Sequence, residues 1–199
     1  AWFDVAPSGR LWSVWWNNVN DHSEIWYSDD DGDTWTLSYD RGVGFASVDN
    51  IAVDRGNSNN LVAATRDDVG QAAPCGISTD GGATWTLKTP LGGAINICDT
   101  WLRWGRDGRL LGQIIGIFGG GDSHIFASDD GGDSWASKYS TGHTEDHGEI
   151  IQCGPPASAL FYSYWNHAAA AGSDHIERSQ DNGETWESMT LPSGPDWTA

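Results

Sequence analysis

Basic side chains are scarce. Ten Lys and Arg stand against 28 Asp and Glu in 199 residues, a formal charge of −18, and the only lysines are Lys88 and Lys138. Phosphate backbones and anionic bilayers both bind through basic surface, so neither nucleic acid nor membrane is an expected partner. No apolar run approaches the ~20 residues that span a bilayer. The chain does not open on Met, and Ala1-Trp2-Phe3-Asp4 already reads as a strand. We expect a processed or excised extracellular or periplasmic protein. Helix should be scarce too. Of the acids 22 are Asp and six Glu, a bias that suits turns, and no segment keeps a 3.6-residue apolar period. The Ala168–Ala171 run, ended by Gly172, is the one place for a helical turn. Three cysteines, Cys75, Cys98 and Cys153, show no Cys-x-x-Cys spacing, which argues against zinc or redox chemistry. Cys98 with Cys153 is the favoured disulfide, and three buried thiols fit as well.

What the chain has in abundance is one phrase. Ser28-Asp29-Asp30-Asp31-Gly32-Asp33-Thr34-Trp35 returns as Ser78–Trp85, Ser128–Trp135 and Ser179–Trp186, with serines 50, 50 and 51 residues apart. The shared pattern is Ser-x-Asp-x-Gly-x-Thr/Ser-Trp. A fixed period of this length marks a repeat architecture. The triple Asp29-x-Asp31-x-Asp33 is superficially a calcium loop, but Gly stands fourth rather than sixth and no Glu stands twelfth.

Each repeat reads as four strands. The first gives Trp2–Val5, Leu11–Trp16, Glu24–Ser28 and Thr34–Ser38 around turns at Pro7–Gly9 and the box. The others follow that plan, giving units of about 1–40, 46–90, 95–140 and 148–191 with a 192–199 tail. Four-stranded antiparallel units at a ~50-residue period match the blades of a β-propeller, set radially around a channel. The fold class is therefore all-β, a propeller of four blades in a single domain. The box Gly permits a positive φ, its Asp and Ser/Thr can bond local amides, and its Trp can pack across the hairpin or on a neighbouring blade.

The phrase resembles the Asp-box, or bacterial neuraminidase repeat, of sialidases, xyloglucan-degrading propeller hydrolases, sortilin-type receptors and photosystem assembly factors. The resemblance covers all four repeats and implies a scaffold role for Asp30, Asp80, Asp130 and Asp181 with Trp35, Trp85, Trp135 and Trp186. It also implies a box on the turn between the two outer strands, away from the usual ligand face. Such propellers usually have six or more blades, often with one blade built from both termini. Here every blade is self-contained, so a closed four-bladed ring, a segment of a larger propeller, and a ring completed by self-association all fit.

Function is sought on the face opposite the boxes, where loops on a rigid scaffold bind ligands. All six histidines map there, His22 and His167 in loops, His124 and His175 near strand starts, and His143 and His147 in the crossover His143–Glu149. The binding candidates are Trp16, Asp21, His22, Arg66, His143, Asp146, His147, Trp165 and His167. Exposed rings stack on sugar faces while Asp, Asn and His meet hydroxyls, so a polysaccharide or glycan is the expected ligand. Trp16-Asn17-Asn18 and Trp165-Asn166-His167 occupy equivalent points of repeats one and four. No metal or cofactor is expected, since His143 and His147 in a loop fix no coordination geometry. Sialidase chemistry is excluded because the chain lacks the Arg-Ile-Pro motif and any matching context for the arginine triad. Leu61–Gly70 loosely resembles the xyloglucan hydrolase segment that carries a catalytic carboxylate, which makes Asp68 the one catalytic candidate. A structural subunit of an extracellular assembly is the third reading.

Overall fold

In a computed structural model, the described residues are 2–19, 22–40, 48–65, 75–88, 97–116, 123–142, 147–152, 159–166 and 173–190. They form four four-stranded antiparallel sheets, each made of consecutive strands. The first sheet is β1 (Trp2–Val5), β2 (Leu11–Asn17), β3 (His22–Ser28) and β4 (Thr36–Asp40). The second is β5 (Val48–Val53), β6 (Leu61–Thr65), β7 (Gly76–Ser78) and β8 (Thr86–Leu87). The third is β9 (Ile97–Trp104), β10 (Leu110–Gly116), β11 (His124–Ser128) and β12 (Ala136–Ser140). The fourth is β13 (His147–Gln152), β14 (Leu160–Asn166), β15 (Ser173–Ser179) and β16 (Glu187–Ser188). A single 3-10 turn at Arg106–Gly108 is the nearest approach to helix among the described residues. The outer strands β8 and β16 are shorter than the counterpart of Thr34–Ser38 that the first repeat's plan leads one to expect. His22 opens β3 instead of lying in the preceding loop.

The box closes each outer hairpin by hydrogen bonding. In the second repeat Ser78 Oγ donates to Asp80 Oδ1 at 2.8 Å and accepts the Gly82 amide at 2.9 Å. Asp80 also accepts the Thr84 amide at 2.9 Å and the Thr84 hydroxyl at 2.6 Å. The other three boxes repeat these bonds. Two consecutive residues carry positive φ in each, for example Asp31 at 57° and Gly32 at 96°, and the box glycines supply that conformation without steric cost. These bonds hold the carboxylates ionised. Thr84, then Ser78, pull Asp80 down to about 2, and Asp30 is likewise about 2 through Thr34 and Ser28.

Buried apolar side chains gather between consecutive sheets, not within them. Trp12, Val14 and Ile25 of the first meet Ile51, Val53, Leu61 and Ala63 of the second. Ala52, Val62, Ala64, Cys75 and Ile77 meet Leu102, Trp104, Leu110 and Phe126 of the third. Leu111, Ile125 and Ala127 meet Ile150, Leu160 and Tyr162 of the fourth. Alternation along each strand sends one face to the blade before and the other to the blade after. The first strands also touch through side chains. Asp4 accepts the Val53 amide at 2.8 Å, and Asn50 both donates to Leu102 O and accepts the Leu102 amide. Cys75 is a buried free thiol in the second junction, pushed up to about 12 by burial.

Candidate functional site

Three places concentrate chemistry: the centre where the first strands meet, the box side, and the end opposite the boxes. Residues of β1, β5, β9 and β13 line the centre, among them Asp4, Asn50, Leu102, Arg103 and Ile150. The cavity there measures about 100 Å³. That admits a few waters, whereas pockets for small organic ligands begin at about 300 Å³. The centre therefore does not seat a sugar.

The box side is an ion-pair belt. Arg10 binds Asp29 with two bonds, of 2.7 and 2.8 Å, and lies over the Tyr27 ring at 4.1 Å. Arg109 repeats this against Asp129 and reaches across to Glu184 at 3.0 Å. An open groove lined by Arg106, Arg109, Asp129, Asp181, Asn182 and Glu184 lies between the third and fourth blades. Arg109 is taken up by Asp129 and Glu184 of the same wall and Arg106 donates to the Gln180 carbonyl, which leaves little for a ligand to gain.

The opposite end is built where β2 passes to β3. Pairing of Asn17 with His22 and of Leu11 with Ser28 fixes which end is which, because Ser28 opens the box. Trp16 projects there 45 % exposed. On the other face of the same sheet end lies a polar cluster. His22 Nε2 is 2.8 Å from Asp40 Oδ1 and 3.6 Å from Glu24 Oε1. Glu24 accepts from Asn17 Nδ2 at 2.6 Å and from Trp26 Nε1 at 2.8 Å. The His22, Glu24 and Asp40 donor atoms all lie within 4.8 Å of one another, a spacing that could hold a metal ion. Glu24 is already engaged by Asn17 and Trp26. His22 is buried, so its ring supports the strand ends and does not face solvent.

Glu24 and Asp40 escaped the sequence reading because they stand 16 residues apart with no motif between them. The 24–40 pairing of β3 with β4 brings them together. Of the other binding candidates, His147 opens β13 and pairs with Trp165 of β14, which places both at the box-distal end of the fourth sheet. Asp21, Arg66, Asp68, His143, Asp146 and His167 lie outside the described residues. So does Cys153 of the favoured disulfide.

With this geometry in hand, comparison gives the following. The BNR/Asp-box repeat family matches residues 77–87. No curated protein sequence matches the chain. Among solved structures, YCF48 bound to D1 peptide is 17% identical over 91% of this chain and 49% of its own, with a TM-score of 0.55. The GH74 enzyme of Niastella koreensis is 19% identical over 94% of this chain and 28% of its own, TM-score 0.60. The Aleuria aurantia lectin in complex with Fucalpha1-6GlcNAc is 14% identical over 98% and 62%, TM-score 0.63. The chain thus spans about half the length of YCF48 and less than two thirds of the other two. It carries Asp-box repeats on a β-propeller fold.

Proposed function

We propose that the protein is a carbohydrate-recognition propeller whose glycan site lies at the box-distal end. The observation that carries this is Trp16, a large exposed ring at the box-distal end of β2. A flat exposed ring matches the C–H face of a sugar, and polar groups at the same end of the blade match its hydroxyls. The strand end that carries the ring is braced from the sheet's other face, where Asn17 donates to Glu24. The Aleuria lectin, which holds a fucosylated disaccharide, shows that a propeller of similar course can serve this purpose. The ligand is an extracellular polysaccharide or glycan.

The test is a pull-down on insoluble polysaccharides together with a glycan array. Trp16→Ala should weaken binding at least tenfold, about 1.4 kcal/mol. Asp30→Asn, on the opposite side, should leave it unchanged. Absence of binding to every glycan, or equal binding by Trp16→Ala, removes the proposal. Turnover of a polysaccharide that is lost in Asp68→Asn would instead make the protein a hydrolase of the xyloglucanase type.

A further inference from the structure

Each blade presents one face to the blade before it, and the first blade's is open. Register makes Phe3 the counterpart of Ile51, Leu102 and Ile150, since each pairs two residues inward from the strand end at the first hairpin. Ile51, Leu102 and Ile150 are 4%, 1% and 4% exposed, whereas Phe3 is 73% exposed. Leu11 is half-buried where Leu61, Leu110 and Leu160 are fully buried. The box tryptophans tell the same story. Trp85 stacks on Tyr39 and Trp186 on Tyr139, each on the preceding blade, but Trp35 folds back on Trp15 of its own blade. Trp15 itself is 43% exposed. Among the described residues no buried apolar cluster joins the fourth sheet to the first, although Phe3 and Ile150 line the same central cavity.

The three filled junctions also state what a covering blade must carry. The residue three places after a box Trp faces the residue before the Thr or Ser of the next box. Lys88 meets Asp133 at 2.9 Å and Lys138 meets Glu184 at 2.8 Å. Where the second box has Ala83 at that position, the first blade offers the neutral Ser38, which bonds Gly82 O and accepts from Trp85 Nε1. Acid is answered by lysine and a neutral residue by a neutral one. The first box has Asp33, which is exposed and has no ion pair among the described residues. The fourth blade has Met189 at the answering position. It therefore lacks the charge that Asp33 calls for.

We propose that the open face of the first blade (Phe3, Leu11, Trp15, Trp35 and Asp33) docks a further Asp-box blade that is none of these four. That partner blade carries Lys or Arg three residues after its own box Trp and an aromatic ring next to it, as Lys138-Tyr139 does. Continuity with the three existing junctions supplies its shape, and Asp33 supplies the charge it must complement.

The experiment gives the full chain such a blade, by fusing a second copy of residues 97–147 ahead of Ala1. Docking should lower acrylamide quenching of Trp fluorescence and raise Tm by roughly 5 °C. Lys138→Glu in the added copy should remove part of that gain, and Asp33→Lys alongside it should restore it. Unchanged quenching and Tm in the fusion would overturn the proposal, as would a Lys138→Glu effect that Asp33→Lys does not reverse. Sedimentation of the unfused chain gives an independent reading. A monomer is expected, because Met189 does not complement Asp33. A dimer dispersed by Trp15→Asp would show that a second copy covers the face, and the proposal would fall.

Discussion

At the residue scale the informative position is Gly82. It carries φ of +82°, and a Cβ there would stand 2.3 Å from a ring carbon of Trp12, which is fully buried and has nowhere to move. Gly131 has a similar φ of +70° with nothing within 4 Å. The pair separates backbone strain from packing. Gly131→Ala should cost about 1–2 kcal/mol, the left-handed penalty alone. Gly82→Ala adds overpacking of about 1–3 kcal/mol. Thermal melts should therefore place Gly82→Ala well below Gly131→Ala, and equal melting temperatures would refute close packing of the second box on the first blade. The positive φ of the box Gly was legible from its place in the repeated phrase. Its approach to Trp12 was not, because the two residues are 70 apart and no local pattern links them.

At the element scale, the box behaves as a hairpin closed around an ionised carboxylate. Hydrogen bonds from Thr84 and Ser78 lower Asp80 to about 2, against roughly 3.9 in an unfolded chain. A depressed folded value contributes stability above the unfolded value, and that contribution disappears as pH falls through the folded one. The gap in Tm between the native chain and Asp80→Asn should be constant above about pH 5. It should close between about pH 4 and 2, because Asn cannot protonate. A gap that persists unchanged to pH 2 would mean that the carboxylate's charge is irrelevant to the turn. The repeat exposed the box at once, since its chemistry is local and written four times. The His22, Glu24 and Asp40 cluster was hidden, since it depends on which residues β3 and β4 place side by side. Strand pairing also turned His22 from a loop residue into a buried one, a difference that a polar residue flanked by Asp21 and Ser23 does not signal. The short β8 and β16 have a similar cause. Box bonding and a few ladder bonds suffice on an outer edge, so strand propensity there goes unused.

At the scale of the whole molecule, charge is distributed unevenly. The described cations Arg10, Lys88, Arg109 and Lys138 are held in ion pairs along the box side. The net −18 is therefore left mainly as unpaired carboxylate. Exposed ion pairs each contribute only about 0–1 kcal/mol, and salt weakens them. Repulsion among the surplus acids acts over the whole surface and is also screened, because the Debye length falls from about 30 Å at 0.01 M to about 3 Å at 1 M. The two effects oppose each other, and their sizes decide the outcome. Few pairs are lost, whereas the repulsion relieved grows with the square of a large net charge. Tm should therefore rise as NaCl goes from 10 mM to 0.5 M. Lys138→Met, which deletes one pair and adds one negative charge to the net, should steepen that rise. A Tm that falls with salt would show that the ion-pair belt, and not apolar packing between blades, holds the blades together.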